Sequence, residues 1–263
     1  MTGRLYLIGT PIGNLADFSP RALATLTELD VLFCEDTRTT AKLLSHFGVR
    51  VDARSLSDDS PDSAWGEAVA LVKQGLKVGY VSEAGMPGLS DPGRRLVRAA
   101  WSAGETPVVI PGPSAVGTLL AACPFISRRF LFLGFAPRKK GDREDFLDEL
   151  AASPTPCFFF ESPHRAHQLI DDLVARVEPE RELMLGREMT KLFEQVLLFS
   201  AAQWPRLADE VPQVGEFTIA VDRGPVSQQD IDTPDVVAKV RELVAAGFSQ
   251  RLSLIHISEP TRL

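Results

Sequence analysis

KVGYVSEAGMPGLSDPGRRLVRAAWSA, residues 77–103, holds the alternation on which the fold rests. A short apolar run, Lys77 to Glu83, reads as a strand. It gives way to a loop with three glycines and two prolines between Ser82 and Gly93, and then to a stretch of helical period that ends near Ala103. So many turn residues after a strand describe a rigid loop with accessible backbone, which a plain connection does not need, and the loop is expected to line a site. Asp91, before Pro92, is also suited to cap the following helix.

The same unit recurs on either side. LYLIGTP (Leu5 to Pro11), DVLFCED (Asp30 to Asp36) and PVVIPGP (Pro107 to Pro113) are apolar runs that close on Gly, Pro or an acidic residue. Helical periods run between them over 19–29, 38–47 and 63–74. Strands alternating with helices predict an α/β domain whose parallel sheet is covered on both faces. Ligands of such sheets bind at the carboxyl ends of the strands, so four loops converge on one crevice: Gly9 to Leu15, Cys34 to Thr40, Ser82 to Gly93 and Ile110 to Ala115. The first is neither GxGxxG nor a P-loop, and it either brings amides to a ligand or is a tight turn. In the second, Glu35 and Asp36 either hold a ribose, an ammonium or a basic side chain, or Asp36 or Thr37 simply caps a helix. Arg38 beside them is placed for phosphate or carboxylate.

The second half continues with FLFLGFAP (130–137), a charged helix over about 142–151, CFFFES (157–162), a helix over about 163–177, ELMLGRE (182–188), QVLLFS (195–200) and EFTIAVD (216–222). PGPSAVGTLLAACP (111–124) joins the halves, giving one α/β domain over 1–113 and a second over 114–225. A helical segment is expected over 226–252. The tail 253–263 lacks a helical stripe and reads as non-native read-through, with a disordered native tail as the alternative, so His256 is no site candidate.

With 35 acidic and 28 basic residues the net charge is −7, which argues against coating a nucleic acid by bulk electrostatics. RNA contact then needs a local patch, and Arg128, Arg129, Arg138, Lys139, Lys140 and Arg143 supply one. Phe130, Phe132 and Phe135 run among these residues, although their alternation reads as a buried strand. The three cysteines are dispersed and lack metal-ligand spacing, so neither a disulfide framework nor a metal site is expected. No run approaches the roughly 20 apolar residues of a membrane span, and no signal-peptide pattern opens the chain. A cytoplasmic location without a membrane partner follows as an expectation.

Taken in order, GTPIGNL, CEDTR, VSEAGMPGLSDPG, PGPSAV, GFAPRKKGDR, FFESPHR, GREMTK and GEFTIAV resemble the signature blocks of the tetrapyrrole methylase superfamily. More narrowly, they resemble its bacterial branch that methylates the ribose 2′-oxygen of a cytidine in the decoding region of 16S ribosomal RNA. The resemblance spans about residues 4–250. It implies two α/β domains with S-adenosylmethionine in the cleft between them, held largely by backbone groups, and usually a homodimer. The partner would be 16S rRNA or the assembled small ribosomal subunit. Carried over residue by residue, cofactor contacts fall at Pro11, Ala84, Gly85, Pro87, Ser114 and Ala115, with Glu161 and Ser162 from the second domain. The third block departs from the family's Ser-Asp-Ala-Gly-Thr-Pro: Glu83 and Met86 stand at the Asp and Thr positions.

Methyl transfer to a ribose hydroxyl needs in-line geometry and a group that removes the proton. Lys191 and Glu188, near the acceptor, and Arg38 are the candidate catalytic residues, with Arg38 and Arg187 also on phosphate. Lys191 and Glu194 could instead form a surface pair, and His164 is either a base or part of a first helical turn. Two other readings stay open: a methyltransferase of corrin or porphyrin precursors, and a non-catalytic nucleotide or phosphate sensor.

Overall fold

The computed structural model describes residues 3–126, 128–224 and 244–245. Its first half runs β1 (Arg4–Ile8), α1 (Pro20–Thr27), β2 (Val31–Cys34), α2 (Thr37–His46), β3 (Asp52–Ser55), α3 (Asp62–Lys73), β4 (Lys77–Val81), α4 (Gly93–Ser102), β5 (Val108–Ile110) and α5 (Ala115–Ala122). The strands order as β3-β2-β4-β1-β5, all parallel, as the alternation predicts. β2 is buried along its whole length and β4 almost so, because helices cover both faces. On one side Leu5, Val78 and Tyr80 pack against Trp65 and Val69 of α3 and Leu96 of α4; on the other Ile8, Leu32 and Val81 pack against Ala22 and Leu26 of α1 and Leu44 of α2. β3 lay outside the expectation. Its sequence DARS has no apolar alternation, since it is an edge strand and mostly exposed.

Helix starts follow local chemistry. Ser19 accepts from the amide of Ala22 and precedes Pro20 at the first helical position of α1, while Ser114 accepts from Gly117 at the start of α5.

The second half runs β6 (Leu131–Phe135), α6 (Lys140–Ala152), β7 (Cys157–Glu161), α7 (Pro163–Val174), β8 (Glu182–Arg187), β9 (Gln195–Ser200), α8 (Trp204–Leu207) and β10 (Phe217–Val221). Its sheet, ordered β6-β7-β10-β8-β9, is mixed. β6 and β7 are parallel across helix α6, but β10 lies antiparallel between β7 and β8, and β9 returns antiparallel on β8. The reason is connection length: a few residues between β8 and β9 suffice only for an antiparallel return. One face of this sheet packs on α6, α7 and the buried Trp204, the other on Val116 and Leu119 of α5.

The aromatic run on β6 corrects an expectation. Phe130, just before β6, and Phe135 are exposed rather than core, because β6 is an edge strand, while Phe132 packs against the core as expected. The described residues from 3 to 223 belong to one compact unit. Apart from 244–245, the expected helical segment 226–252 and the tail 253–263 with His256 lie outside the described residues. No described helix is long and apolar enough to cross a membrane.

Candidate functional site

The loops after β1, β4 and β5 meet at the carboxyl end of the first sheet. Their closest passage is between glycines: a Cβ on Gly9 would stand 2.7 Å from the Cα of Gly112 and from the sulfur of Met86. Met86, the departure from the family block, fills this junction, and its sulfur accepts from the Gly112 amide at 3.2 Å. Thr10 and Gly85 exchange both backbone hydrogen bonds, at 2.9 and 3.2 Å, which ties the first loop to the third. The third loop turns through positive φ at Gly85 (78°) and Gly88 (91°), where side chains are disfavoured. Asp91 does more than cover the start of α4. Its two carboxylate oxygens accept from the amides of Gly88 and Gly93, each at 2.7 Å, and so clasp the loop.

From the second sheet, the loop after β8 reaches the first. The amide of Asn14 donates to Thr190 Oγ1 at 3.1 Å. Around it the backbone is strained, with Glu188 and Thr190 at φ of 49° and 66°.

Between these walls lies a cavity of about 460 Å³, within the range of small-molecule sites. Ala84, Gly85, Ser114, Ala115, Glu161 and Ser162, all anticipated as cofactor contacts, line it. Pro11 lines an adjoining cavity of about 280 Å³ that shares Ile12, Ser82, Glu83 and Ala84 with the first, while Pro87 lines neither. The sequence reading missed the far wall, formed by Phe135, Phe160, Met189 and the run Gly215 to Thr218. Each of these residues lies in a quoted block: Phe135 in GFAPRKKGDR, Phe160 in FFESPHR, Met189 in GREMTK and Gly215 to Thr218 in GEFTIAV.

The cavity is acidic. Glu35, Glu83, Asp91, Glu161 and Glu216 line it, and no lysine, arginine or histidine among the described residues does. Burial, together with the neighbouring charges of Glu83, Asp91 and Asp58, pushes the Glu35 carboxyl up to about 6. Burial also raises that of Asp91. Glu161 is partly satisfied from within: its Oε1 accepts from the Ser162 amide at 2.6 Å and from Arg165, while the buried Oε2 has no hydrogen-bond partner and only the Arg143 guanidinium at 3.7 Å beside it.

The anticipated catalytic residues stand outside this cavity. Lys191 donates to Glu188 at 2.8 Å and lies 3.4 Å from Glu216, so the expected alternative pairing with Glu194 is replaced. Burial disfavours the Lys191 ammonium, but Glu188 and Glu216 outweigh it and raise its pKa; the Glu188 carboxyl is likewise lowered against its burial by Lys191 and the Glu216 amide. The first shift keeps Lys191 protonated and so unable to accept a proton, and the second makes the Glu188 carboxylate a weaker base than an unpaired one. Arg38 pairs with Asp36 at 2.8 Å while remaining largely exposed, and Asp36 caps α2 by accepting from the Arg38 amide.

The phosphate candidates divide. Arg128, Arg129, Arg138, Lys139 and Lys140 are exposed. Arg143 is turned inward between Glu161 and Asp172. Arg187 is 4% exposed and spends its guanidinium on the carbonyls of Pro212, Val214 and Phe193 and on Gln195, which corrects its expected place on phosphate. His164 is exposed at the start of α7 and lines neither cavity, whereas His167 packs edge-on against Trp204. Among the described residues, no cluster of three or more metal-ligating side chains occurs.

Known proteins are similar to this chain. Ribosomal RNA small subunit methyltransferase I of Haemophilus influenzae is 37% identical over 98% of this chain and 92% of its own length. The protein of that name in Escherichia coli O157:H7 is also 37% identical, over 87% of this chain and 81% of its own. Among solved structures, the methyltransferase CobJ superposes with a TM-score of 0.62 at 16% identity, covering 84% of this chain and 94% of its own, a likeness of fold. The sequence pattern of the tetrapyrrole (corrin/porphyrin) methylases matches residues 4–204, and the chain belongs to that family.

Proposed function

We propose that this protein transfers a methyl group from S-adenosylmethionine to the 2′-oxygen of a cytidine ribose in the decoding region of 16S ribosomal RNA. The observation that carries the reading is the charge of the cavity wall. Five carboxylates and no basic side chain among the described residues suit a cationic ligand, and S-adenosylmethionine brings a sulfonium and an ammonium. Loops held by the Thr10–Gly85 backbone pair and by the Gly112 amide on the Met86 sulfur present backbone to its adenosine. In this reading Ala84, Gly85, Ser114, Ala115 and Ser162 hold the cofactor, which supplies the electrophilic methyl group.

The acceptor is assigned to RNA on two grounds. Two relatives that span most of this chain carry a ribosomal RNA methyltransferase name, and an exposed basic run, Arg138 to Lys140, leads into α6 after the edge strand β6. The protein is further proposed to act as a homodimer.

The test supplies the purified protein with methyl-labelled S-adenosylmethionine and either small ribosomal subunits lacking the modification or a porphyrinogen. Label in the RNA alone supports the proposal. Label in the porphyrinogen alone overturns it.

A further inference from the structure

We propose that Glu35 takes the proton of the ribose hydroxyl during methyl transfer, a role that rests on the function proposed above. The cavity wall holds no histidine, lysine or cysteine among the described residues, so the acceptor must be one of its carboxylates. Three of the five are otherwise committed, and the fourth, Glu83, is open to solvent. Asp91 has both oxygens on loop amides. Glu161 is wholly buried and neutralised by Arg165 and Arg143. Glu216 lies against Lys191.

Glu35 differs from all of them. β2 is buried to its last residue, Cys34, so Glu35 is the first residue to leave the sheet, and it emerges into the cavity. Its backbone carbonyl is held by Ser55 Oγ at 3.2 Å at the end of β3. Among the described residues no hydrogen bond or ion pair engages its carboxylate. The side chain is half-buried, and the charged groups facing it are acidic: Glu83 and Asp91 from the loop after β4, and Asp58 from the segment after β3. Arg38, two residues beyond Asp36, is turned onto Asp36 instead. A carboxylate so placed is ionised at neutral pH yet more basic than an exposed one, which suits a general base.

The step balances. The ribose O–H bond breaks as the oxygen forms its bond to the methyl carbon, and the S–C bond of the sulfonium breaks with its electron pair leaving on sulfur as a neutral thioether. The proton passes to the Glu35 carboxylate, so one negative and one positive charge vanish together.

The experiment compares wild type, Glu35→Gln and Asp58→Asn on small ribosomal subunits, with cofactor affinity measured separately by calorimetry. Glu35→Gln is expected to lose about 100-fold or more in kcat while binding S-adenosylmethionine as wild type does. In wild type kcat/KM should rise with pH and level off above about 6. Asp58→Asn, which removes a charge outside the cavity, should move that rise to lower pH and leave the plateau unchanged. Wild-type turnover by Glu35→Gln overturns the role. Loss of cofactor affinity in that variant also overturns it, making Glu35 an anchor for the donor. If wild type itself labels no ribose, the functional reading falls and this role with it.

Discussion

The Nε of Arg187 donates to the carbonyl oxygen of Val214 at 2.8 Å. With Pro212, Phe193 and Gln195 as further acceptors, one buried guanidinium fastens the end of β8 to the segments that precede β9 and β10. The strained turn Glu188 to Lys191 and the cavity-lining run Gly215 to Thr218 both depend on that fastening.

Arg187→Met should therefore destabilise the fold by about 3 kcal/mol, since it removes a buried guanidinium from four part-buried hydrogen bonds. Urea unfolding measures the loss. RNA affinity of the folded fraction should be unchanged, because the guanidinium is not offered to solvent.

Stability should also report the tension at Glu35. Its folded-state carboxyl titrates near 6, above the roughly 4.3 of an unfolded glutamate. The folded state thus binds the proton more tightly, and the stabilisation present below about pH 4.3 is lost as pH rises through 6. Gln mimics the neutral form. After allowance for partial solvent screening, Glu35→Gln should be about 1 kcal/mol more stable than wild type at pH 7.5. The gap should close by pH 4 in parallel denaturation curves. Equal stability at both pH values would contradict the placement of this carboxyl.

Arg138, Lys139 and Lys140 precede or open α6 with their side chains exposed. Replacing all three with alanine should reduce the slope of log affinity for RNA against log salt by about 2–3. Binding measured from low to high salt checks this, and cofactor affinity should stay as it was.

The parallel sheet was legible because apolar runs ending in Gly and Pro alternate with helical periods. β3 was not, since an exposed edge strand such as Asp52–Ser55 needs no apolar face. The antiparallel insertion of β10 was hidden for another reason: alternation of elements does not encode strand direction once short returns such as the one between β8 and β9 intervene. At the site, the cavity contacts at Ala84, Gly85, Ser114, Ala115, Glu161 and Ser162 could be anticipated from motif blocks. The state of the charged residues could not. Arg187 and Lys191 look alike in sequence as cations after an apolar strand, and only their neighbours show one spent on carbonyls and the other held by two glutamates. Glu35 was read with Asp36 as a pair, whereas a single residue's difference in position makes Asp36 a helix cap and Glu35 part of the cavity wall.

The central claim is tested most directly by the chemical identity of the methylated product. Small ribosomal subunits lacking the modification would be treated with the protein and labelled S-adenosylmethionine, digested to nucleosides and separated by mass. The account predicts label in 2′-O-methylcytidine from a single decoding-region site. Label on a base, on another nucleoside, or nowhere in the RNA despite bound cofactor would contradict it.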